Sequence, residues 1–382
     1  MSFGYTKFEM IDRNYGIFKN TTESRGRKGG EAMNNVIIKN KLLRIMLEDL
    51  DKAPDEFKPT NFWASNFNNL SMDIDQTPLE QFRSSKIANY FYVSLYSSLR
   101  LKKWLGYITK ITPLLPQISL INKIKNELVN VLSGYGQAYT DYKIFKGGDN
   151  NHYPIFKGIS ESNYGQPIEH FCFNHSYFSC SFLNYLLGLV FLKKHIDCSQ
   201  IRTVLEIGGG YGTLGEILLK STNEIFYIDI DIPPVAYVAT RYLEHVFSKS
   251  DVLNYELTRD NNIINICDYS QVHRAMVLCS WQLPKLKGDI DLFVNYSSFQ
   301  EMEPNIVHNY VRLINRLSPK YILLRNNPEG KNVAQRIGET GVIEKTTKDH
   351  YIKYLNGHEL IASDKEVFGK EHSEVMIFKR KS

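Results

Sequence analysis

VLEIGGGYGTLGEILL, Val204 to Leu219, passes from an apolar run into three consecutive glycines, adds two more by Gly215, and settles into helical spacing. It reads as strand, glycine turn and helix. Such a turn bares backbone N–H groups at a strand tip and a helix N-terminus, where a small ligand can touch them. The acid Glu206 stands on the strand just before the turn. Two ligand classes compete. A dinucleotide fingerprint requires G-x-G-x-x-G directly after the strand. Counted from Gly208, the sixth position is Thr213 and the match fails; counted from Gly210 the letters fit, ending at Gly215, but the frame starts two residues late. The pattern acid-x-Gly-x-Gly-x-Gly fits unshifted at Glu206, Gly208, Gly210 and Gly212. A carboxylate beside the turn suits a ligand carrying cationic groups and suits a pyrophosphate badly.

Outward from the turn the chain alternates. Thr203–Ile207 reads as a strand, Leu214–Lys220 as a helix and Ile225–Ile230 as a strand. Val235–Phe247 reads as a helix opened by Pro233 and Pro234, where a missing N–H costs nothing. Strands follow at Ala275–Cys279 and Asp291–Ser297, then a helix at Asn305–Leu317 and a strand at Tyr321–Leu324. A helix over Val333–Glu339, stopped by Gly341, and a closing strand at Glu374–Phe378 complete the pattern. The alternation predicts an α/β fold with a parallel sheet covered on both faces. Ligands of such sheets lie beyond the carboxyl ends of the strands, at the switch point of strand order.

Residues 1–165 lack this alternation. Helical spacing covers Val36–Leu50, broken by Pro54 and Pro59, then Pro78–Leu105, where Leu79, Phe82, Ile87, Phe91 and Leu95 share a face, and Ser119–Leu132. Glu23–Glu31 reads as a polar, glycine-rich loop, Gly147–Gly165 as a linker, and Cys172–His195 as one or two strongly apolar helices. The expected organisation is a mostly α-helical N-terminal or cap domain over 1–165 and a sheet domain over 166–382.

The motif at Glu206, Gly208, Gly210 and Gly212 resembles motif I of the class I S-adenosylmethionine-dependent methyltransferases. The resemblance implies a Rossmann-like sheet and S-adenosyl-L-methionine as cofactor. In FYIDIDIPPVAYVATRYL, Phe226 to Leu243, an acid at the second strand tip can accept both ribose hydroxyls. Asp229 and Asp231 both qualify and, being two apart, can face the same way. The D-I-P-P-V run resembles the D-L-P-x-V of small-molecule O-methyltransferases, whose aspartate holds the ribose, which favours Asp231. The loop after the third strand, Ser280-Trp281-Gln282, would flank the adenine: Trp281 either stacks on it or fills core, and Ser280 or Gln282 could bond its edge. A third strand at Ile263–Cys267, with Asp268 as the adenine acid, is the lesser alternative.

DLFVNYSSFQEMEPN, Asp291 to Asn305, together with DIPPVAYVATRYL, resembles a bacterial family of sugar O-methyltransferases. NFWASNFNNL and LEQFRSSKIANYFY extend the likeness faintly into the N-terminal half. This implies methylation of a sugar hydroxyl on a nucleotide-sugar, glycan or glycoside, within polysaccharide or glycoside biosynthesis. A hydroxyl is a poor nucleophile while it keeps its proton, so a base belongs within hydrogen-bond reach. Plant small-molecule O-methyltransferases carry a His-Asp pair at the fourth strand tip; here the pair reads Gln300-Glu301, and Gln cannot be a base. The candidates are Glu301 and, among histidines, His170, His175, His350 and His358, with Gln300, His170, Arg325 and Asn326 as candidate acceptor contacts. Tyr135, Tyr139 and Tyr142 either face a sugar ring or pack in the core. Glu301, Glu303 and His308 are near in sequence but lack ligand spacing, so no metal is expected.

Composition sets the remaining bounds. The 382 residues are 43% apolar and 23% charged, ordinary for a globular chain, and 24 Tyr and 21 Phe suit pockets that stack on ring faces. A net charge of +5 with dispersed Lys and Arg predicts no nucleic-acid partner. Cys172, Cys180, Cys198, Cys267 and Cys279 are odd in number and lack C-x-x-C spacing, which predicts reduced thiols and a cytoplasmic location. MSFGYTKFEM lacks the apolar core of a signal peptide, and Phe182–Leu192 is too short to span a bilayer. Oligomeric state is not legible.

Overall fold

A computed structural model describes residues 38–91, 95–97, 133–365 and 373–381. The Glu23–Glu31 loop and the Ser119–Leu132 helix lie outside these residues.

The sheet strands are β1 (Thr203–Ile207), β2 (Phe226–Asp231), β3 (Ala275–Cys279), β4 (Leu292–Tyr296), β5 (Tyr321–Asn326), β6 (His358–Asp364) and β7 (Glu374–Arg380). Their order across the sheet is β6-β7-β5-β4-β1-β2-β3, with a short edge pair, Val252–Leu253, beyond β3. β1 to β5 run parallel, and β7 enters antiparallel between β5 and β6. Strand order reverses between β1 and β4, so the switch point lies at the tip of β1, where the glycine turn begins. The Rossmann-like class I methyltransferase sheet implied by the motifs is the fold observed.

Alternate side chains of each strand feed two apolar layers, as strand pleating requires. Val204, Tyr227, Val277 and Val294 face one layer; Leu205, Ile228, Met276 and Phe293 face the other. All eight are fully buried. Each large apolar side chain among them contributes about 1.5–3 kcal/mol on leaving water.

The helices are α1 (Lys41–Leu50), α2 (Asn61–Ala64), α3 (Phe67–Gln76), α4 (Tyr135–Gly148), α5 (Cys180–His195), α6 (Thr213–Ser221), α7 (Pro233–Val246), α8 (Pro304–Asn315) and α9 (Lys348–Tyr354). Asn40 caps α1 by accepting from the Leu43 N–H at 3.2 Å, and Ser179 caps α5 by accepting from Phe182. Every regular element described before residue 165 is a helix or a 3-10 turn. Leu42, Leu43, Met46, Phe67, Leu70 and Phe82 join the same apolar layer as Leu214, Tyr242 and Leu243 of α6 and α7. Asp49 fixes α1 further, accepting from Tyr255 Oη at 2.8 Å and from Arg259.

Several expectations need correction. The described part of Pro78–Leu105 is not one helix but 3-10 turns at Leu79–Gln81 and Lys86–Tyr90, because Phe82 and Arg83 turn inward against Gly165. Val333–Glu339 is not helical; it is loop, held by a bridge between Val333 and Val342 and by Asn61. Cys172–His195 begins with a hairpin, Phe171–Phe173 against Ser176–Phe178, before α5. Ile264–Asn265 pairs with Leu286–Lys287 in a small separate sheet, so the third strand is Ala275–Cys279. The edge strand β6 and helix α9 were not anticipated.

Candidate active site

The turn after β1 needs its glycines for two separate reasons. Gly208, Gly210 and Gly212 take φ of +75°, +63° and +95°, which side chains resist. Space matters as well. A Cβ on Gly208 would run into Ser298 Oγ, and one on Gly209 would lie 2.5 Å from Asp229 Oδ1 and 2.9 Å from Glu206 Oε2. A Cβ on Gly210 would meet nothing within 4 Å, so the turn has an open face there.

Three carboxylates surround the turn. Parallel register pairs Glu206 with Asp229, and Asp231 follows one pleat on. Glu206 accepts from Tyr185 Oη at 2.7 Å and Tyr227 Oη at 2.5 Å. Asp229 Oδ1 accepts from Gly209 N–H at 3.3 Å, while its buried Oδ2 has no hydrogen-bond partner. Asp231 accepts from Gly210 N–H at 3.3 Å and from Ile232 N–H at 2.7 Å. No ion pair among the described residues involves any of the three. Burial pushes the Glu206 carboxyl up to about 7 against its two phenol bonds. Burial also lifts Asp231 to about 7 over its backbone donors, with the charges of Glu206 and Glu301 adding to the rise. Asp229 is held well above the carboxylate range by burial, then by its neighbours Asp231 and Glu206. This is a cluster of three buried carboxyls with no cationic side chain paired to it among the described residues.

The tip of β4 is built by amides. Asn295 Nδ2 donates to Ile207 O at 2.9 Å, and its Oδ1 accepts from Asn326 Nδ2 at 3.1 Å. Asn326 Oδ1 accepts from Gln300 N–H, and Gln300 Oε1 accepts from Asn327 N–H. Ser297 sits at φ +67°, an uncommon backbone for a non-glycine residue and one that clusters at functional sites. Gln300 and Asn326 thus join β4 to β5, and Arg325 has no exposed surface.

Glu301 follows on a 3-10 turn, Phe299–Glu301. Its carboxylate lies 3.4 Å from Lys331 Nζ, and its charge is felt at Asp231. Burial raises its pKa, opposed by Lys331 and by the Trp63 indole N–H. The N-terminal stretch lies across this tip. Thr60 Oγ1 donates to Glu301 O at 2.8 Å, and Asn61 bonds Glu339 O, Gly341 O and Gly338 N–H. Lys331 Nζ also stands 5.4 Å from the Phe62 ring centroid.

The remaining candidates scatter. His350 caps α9, its Nδ1 taking the Thr347 N–H at 3.1 Å. His175 is exposed in the hairpin turn at φ +65°. His170 lies 3.7 Å from Glu161, with its pKa lowered to about 4 by burial and then by Arg83. His358 starts β6 with Nε2 at 3.0 Å from Pro319 O. Among the described residues, no hydrogen bond or ion pair links any of these histidines to Glu301. Ser280 donates to Phe57 O, and Gln282 takes Cys279 N–H while donating to Thr258. Trp281 is partly buried, edge-on to Tyr255 at 5.8 Å, and touches both apolar layers. Tyr135, Tyr139 and Tyr142 line α4 against Phe173 of the hairpin. Among the described residues, no three His, Cys, Asp or Glu converge as a metal cage and no helix is long and apolar enough to cross a membrane. All five cysteines are free.

Sequence reasoning missed Tyr185, Tyr227, Ser298, Trp63 and Lys331. For Tyr227 a signal existed: it lies two before Asp229 on one strand, hence on the same face. No local signal places Trp63 or Lys331 beside Glu301.

No protein-family model matches the chain, and no curated protein matches it. Among solved structures, the mitomycin 7-O-methyltransferase MmcR is 16% identical with a TM-score of 0.34, over 52% of this chain and 57% of that one. Magnesium protoporphyrin IX methyltransferase from Synechocystis, with bound SAH, is 14% identical with a TM-score of 0.36, over 53% and 84%. An O-methyltransferase of neocarzinostatin biosynthesis, bound to S-adenosylmethionine and a naphthoic acid, is 13% identical with a TM-score of 0.32, over 53% and 57%. The alignment thus spans less than two thirds of the first and third. These are likenesses of fold.

Proposed function

We propose that the protein is an S-adenosylmethionine-dependent O-methyltransferase whose acceptor is a sugar hydroxyl. The observation that carries the reading is the glycine turn with its three buried carboxyls. Glu206, Asp229 and Asp231 suit a cationic donor, and the orphaned Asp229 Oδ2 supplies an unused acceptor inside the cradle. A pyrophosphate there would face three carboxylates, which argues against a dinucleotide.

The residues present fit such a donor. Asp231 accepts from the ribose hydroxyls, Glu206 and Asp229 offset positive charge, the open face at Gly210 allows close backbone approach, and Trp281 offers a ring face for the adenine. When bound, S-adenosylmethionine supplies a methyl group already activated by its sulfonium. The chain then has to align the acceptor oxygen and hold a proton. Glu301 receives the proton of the hydroxyl, since it lies at the β4 tip with a raised pKa and within range of Asp231. Residues 1–165 act as the cap and 166–382 as the donor-binding domain, with Thr60 to Trp63 as the acceptor-side wall. The sugar assignment rests on the likeness of the segment Asp291 to Asn305 and its companions, and on the aromatic wall of Phe62 and Trp63. The same reading places the protein in the cytoplasm, where nucleotide-linked sugars are made.

The test is calorimetry with S-adenosylmethionine, followed by methyl-labelled donor with panels of nucleotide-sugars and glycans. Transfer to a sugar oxygen is expected. Label on nitrogen, protein or RNA would replace the acceptor class, and donor binding without transfer to any acceptor would leave a binding protein.

A further inference from the structure

Between Gly210 and Gly212 the turn carries one side chain, Tyr211, which is 1% exposed. Several residues from outside the glycine motif grip it. Phe82 meets its ring edge-on at 5.5 Å, and Tyr242 of α7 does so at 5.0 Å. The Arg83 guanidinium stands 5.0 Å from the ring centroid. Arg83 itself is fully buried and paired with Glu161, whose Oε1 also receives the Tyr211 hydroxyl at 3.4 Å. Glu161 is fixed in turn by the Ser179 hydroxyl at 2.9 Å, and Arg83 by Ser162 O at 3.1 Å and, through its N–H, by Gly165 O.

The two flanking glycines leave the turn with little conformational preference of its own. A turn of that kind takes its shape from whatever holds its one side chain. Here part of the hold, Phe82 and Arg83, comes from a segment more than a hundred positions earlier in the chain. The polar pair is buried, so its register is demanding: Arg83 without Glu161, or the reverse, is an unpaired buried charge.

We propose that Tyr211 is a positioning residue for the methyl donor, and that the segment Pro78–Phe91 clamps it through Phe82 and Arg83, so that donor binding and docking of that segment reinforce each other. The inference rests on the donor assignment made above. Linkage makes the coupling reciprocal: a clamp that shapes the turn raises donor affinity, and the donor tightens the clamp by the same factor.

The experiment uses the full chain with S-adenosylhomocysteine and S-adenosylmethionine as probes. Calorimetry gives affinity, and thermal melting without ligand gives stability. Hydrogen exchange follows residues 78–91 and 208–213 with and without S-adenosylhomocysteine. Tyr211→Ala is expected to weaken binding of both probes at least twentyfold in protein that is still folded. Tyr211→Phe keeps the ring box and is expected to stay within about fivefold, since it loses only the long bond to Glu161. Should Tyr211→Ala not fold, Arg83→Met combined with Glu161→Gln serves, since it leaves no buried charge unpaired, and exchange in the unmodified protein needs no variant. Added S-adenosylhomocysteine is expected to slow exchange in residues 78–91 as well as in the turn. If folded Tyr211→Ala or the folded double variant binds as the parent does, or if exchange slows only in the turn, the clamp is wrong. If the parent itself binds neither probe, the donor assignment is what has failed.

Discussion

Glu206 and Asp229 are register partners on adjacent parallel strands, and neither has any exposed surface. Two acids side by side in a core are tolerated only when protonated, hydrogen-bonded or matched by a cation. Two phenols attend to Glu206, while Asp229 keeps an oxygen with no partner. The pair therefore stores an electrostatic cost that a cationic ligand would relieve.

Donor affinity should consequently depend on pH. Glu206 and Asp231 titrate near 7 in the free protein, and a sulfonium favours their ionised forms. Binding then releases protons, so affinity rises with pH, on the order of tenfold between pH 6 and pH 8. Calorimetry in two buffers of different ionisation enthalpy measures the protons released. A flat affinity with no proton release would remove the carboxylates from the donor site.

Asp229→Asn separates stability from binding. A carboxyl whose folded pKa is raised gives stability that is present at low pH and is lost as pH rises through the folded value. The variant should match the parent near pH 4.5 and exceed it by about 1–3 kcal/mol at pH 8, the penalty of a buried group lacking a partner. Its affinity for S-adenosylmethionine should fall. Denaturant unfolding at the two pH values checks the sign; a variant less stable at pH 8 would contradict it.

Glu301→Gln is expected to lower methyl transfer by roughly 10²–10⁴, the range of a lost general base, while donor affinity stays within twofold. In the parent, burial places the ionisation of Glu301 above the ordinary carboxylate range, so the rate should climb with pH along that limb. Lys331→Met removes an opposing charge and should shift the limb to higher pH. Native transfer by Glu301→Gln would send the search for a base elsewhere.

Gly208→Ala and Gly210→Ala should fail differently. The first sets a Cβ against Ser298 in addition to positive φ, and is expected to cost more than about 2 kcal/mol of stability. The second meets no protein atom, so its cost is the backbone strain of about 1–2 kcal/mol. Its methyl group would stand on the open face and block the donor. Melting curves paired with calorimetry distinguish the two; unchanged donor affinity in Gly210→Ala would move the ligand off that face.

What was legible from sequence is what neighbouring residues impose on each other. Glycine at positive φ, prolines opening α7 and short, nearly continuous apolar runs along β1 to β5 are all patterns set within a few residues. They sufficed for the sheet, the turn and its acids. Where local pattern misled, tertiary contact was the cause. Val333–Glu339 has helical spacing, yet Asn61 bonds this loop at Gly338 and Glu339 and the bridge from Val333 to Val342 closes it. β6 is mostly solvent-exposed and lacks the alternation that marks a half-buried strand. The histidines are candidate bases by residue type alone; the helix cap at His350 and the hairpin turn that holds His175 are visible only once the chain is folded.

From its own letters, then, the chain determined a strand, a glycine turn and flanking carboxylates, because backbone torsion and strand pleating are set over a handful of bonds. Folding alone decided that Trp63 and Lys331 reach Glu301, and that Arg83 and Glu161 grip Tyr211. Those meetings join residues from 30 to more than 200 positions apart in the chain. Burial and charge pairing, which act through space and leave no spacing behind, bring them together.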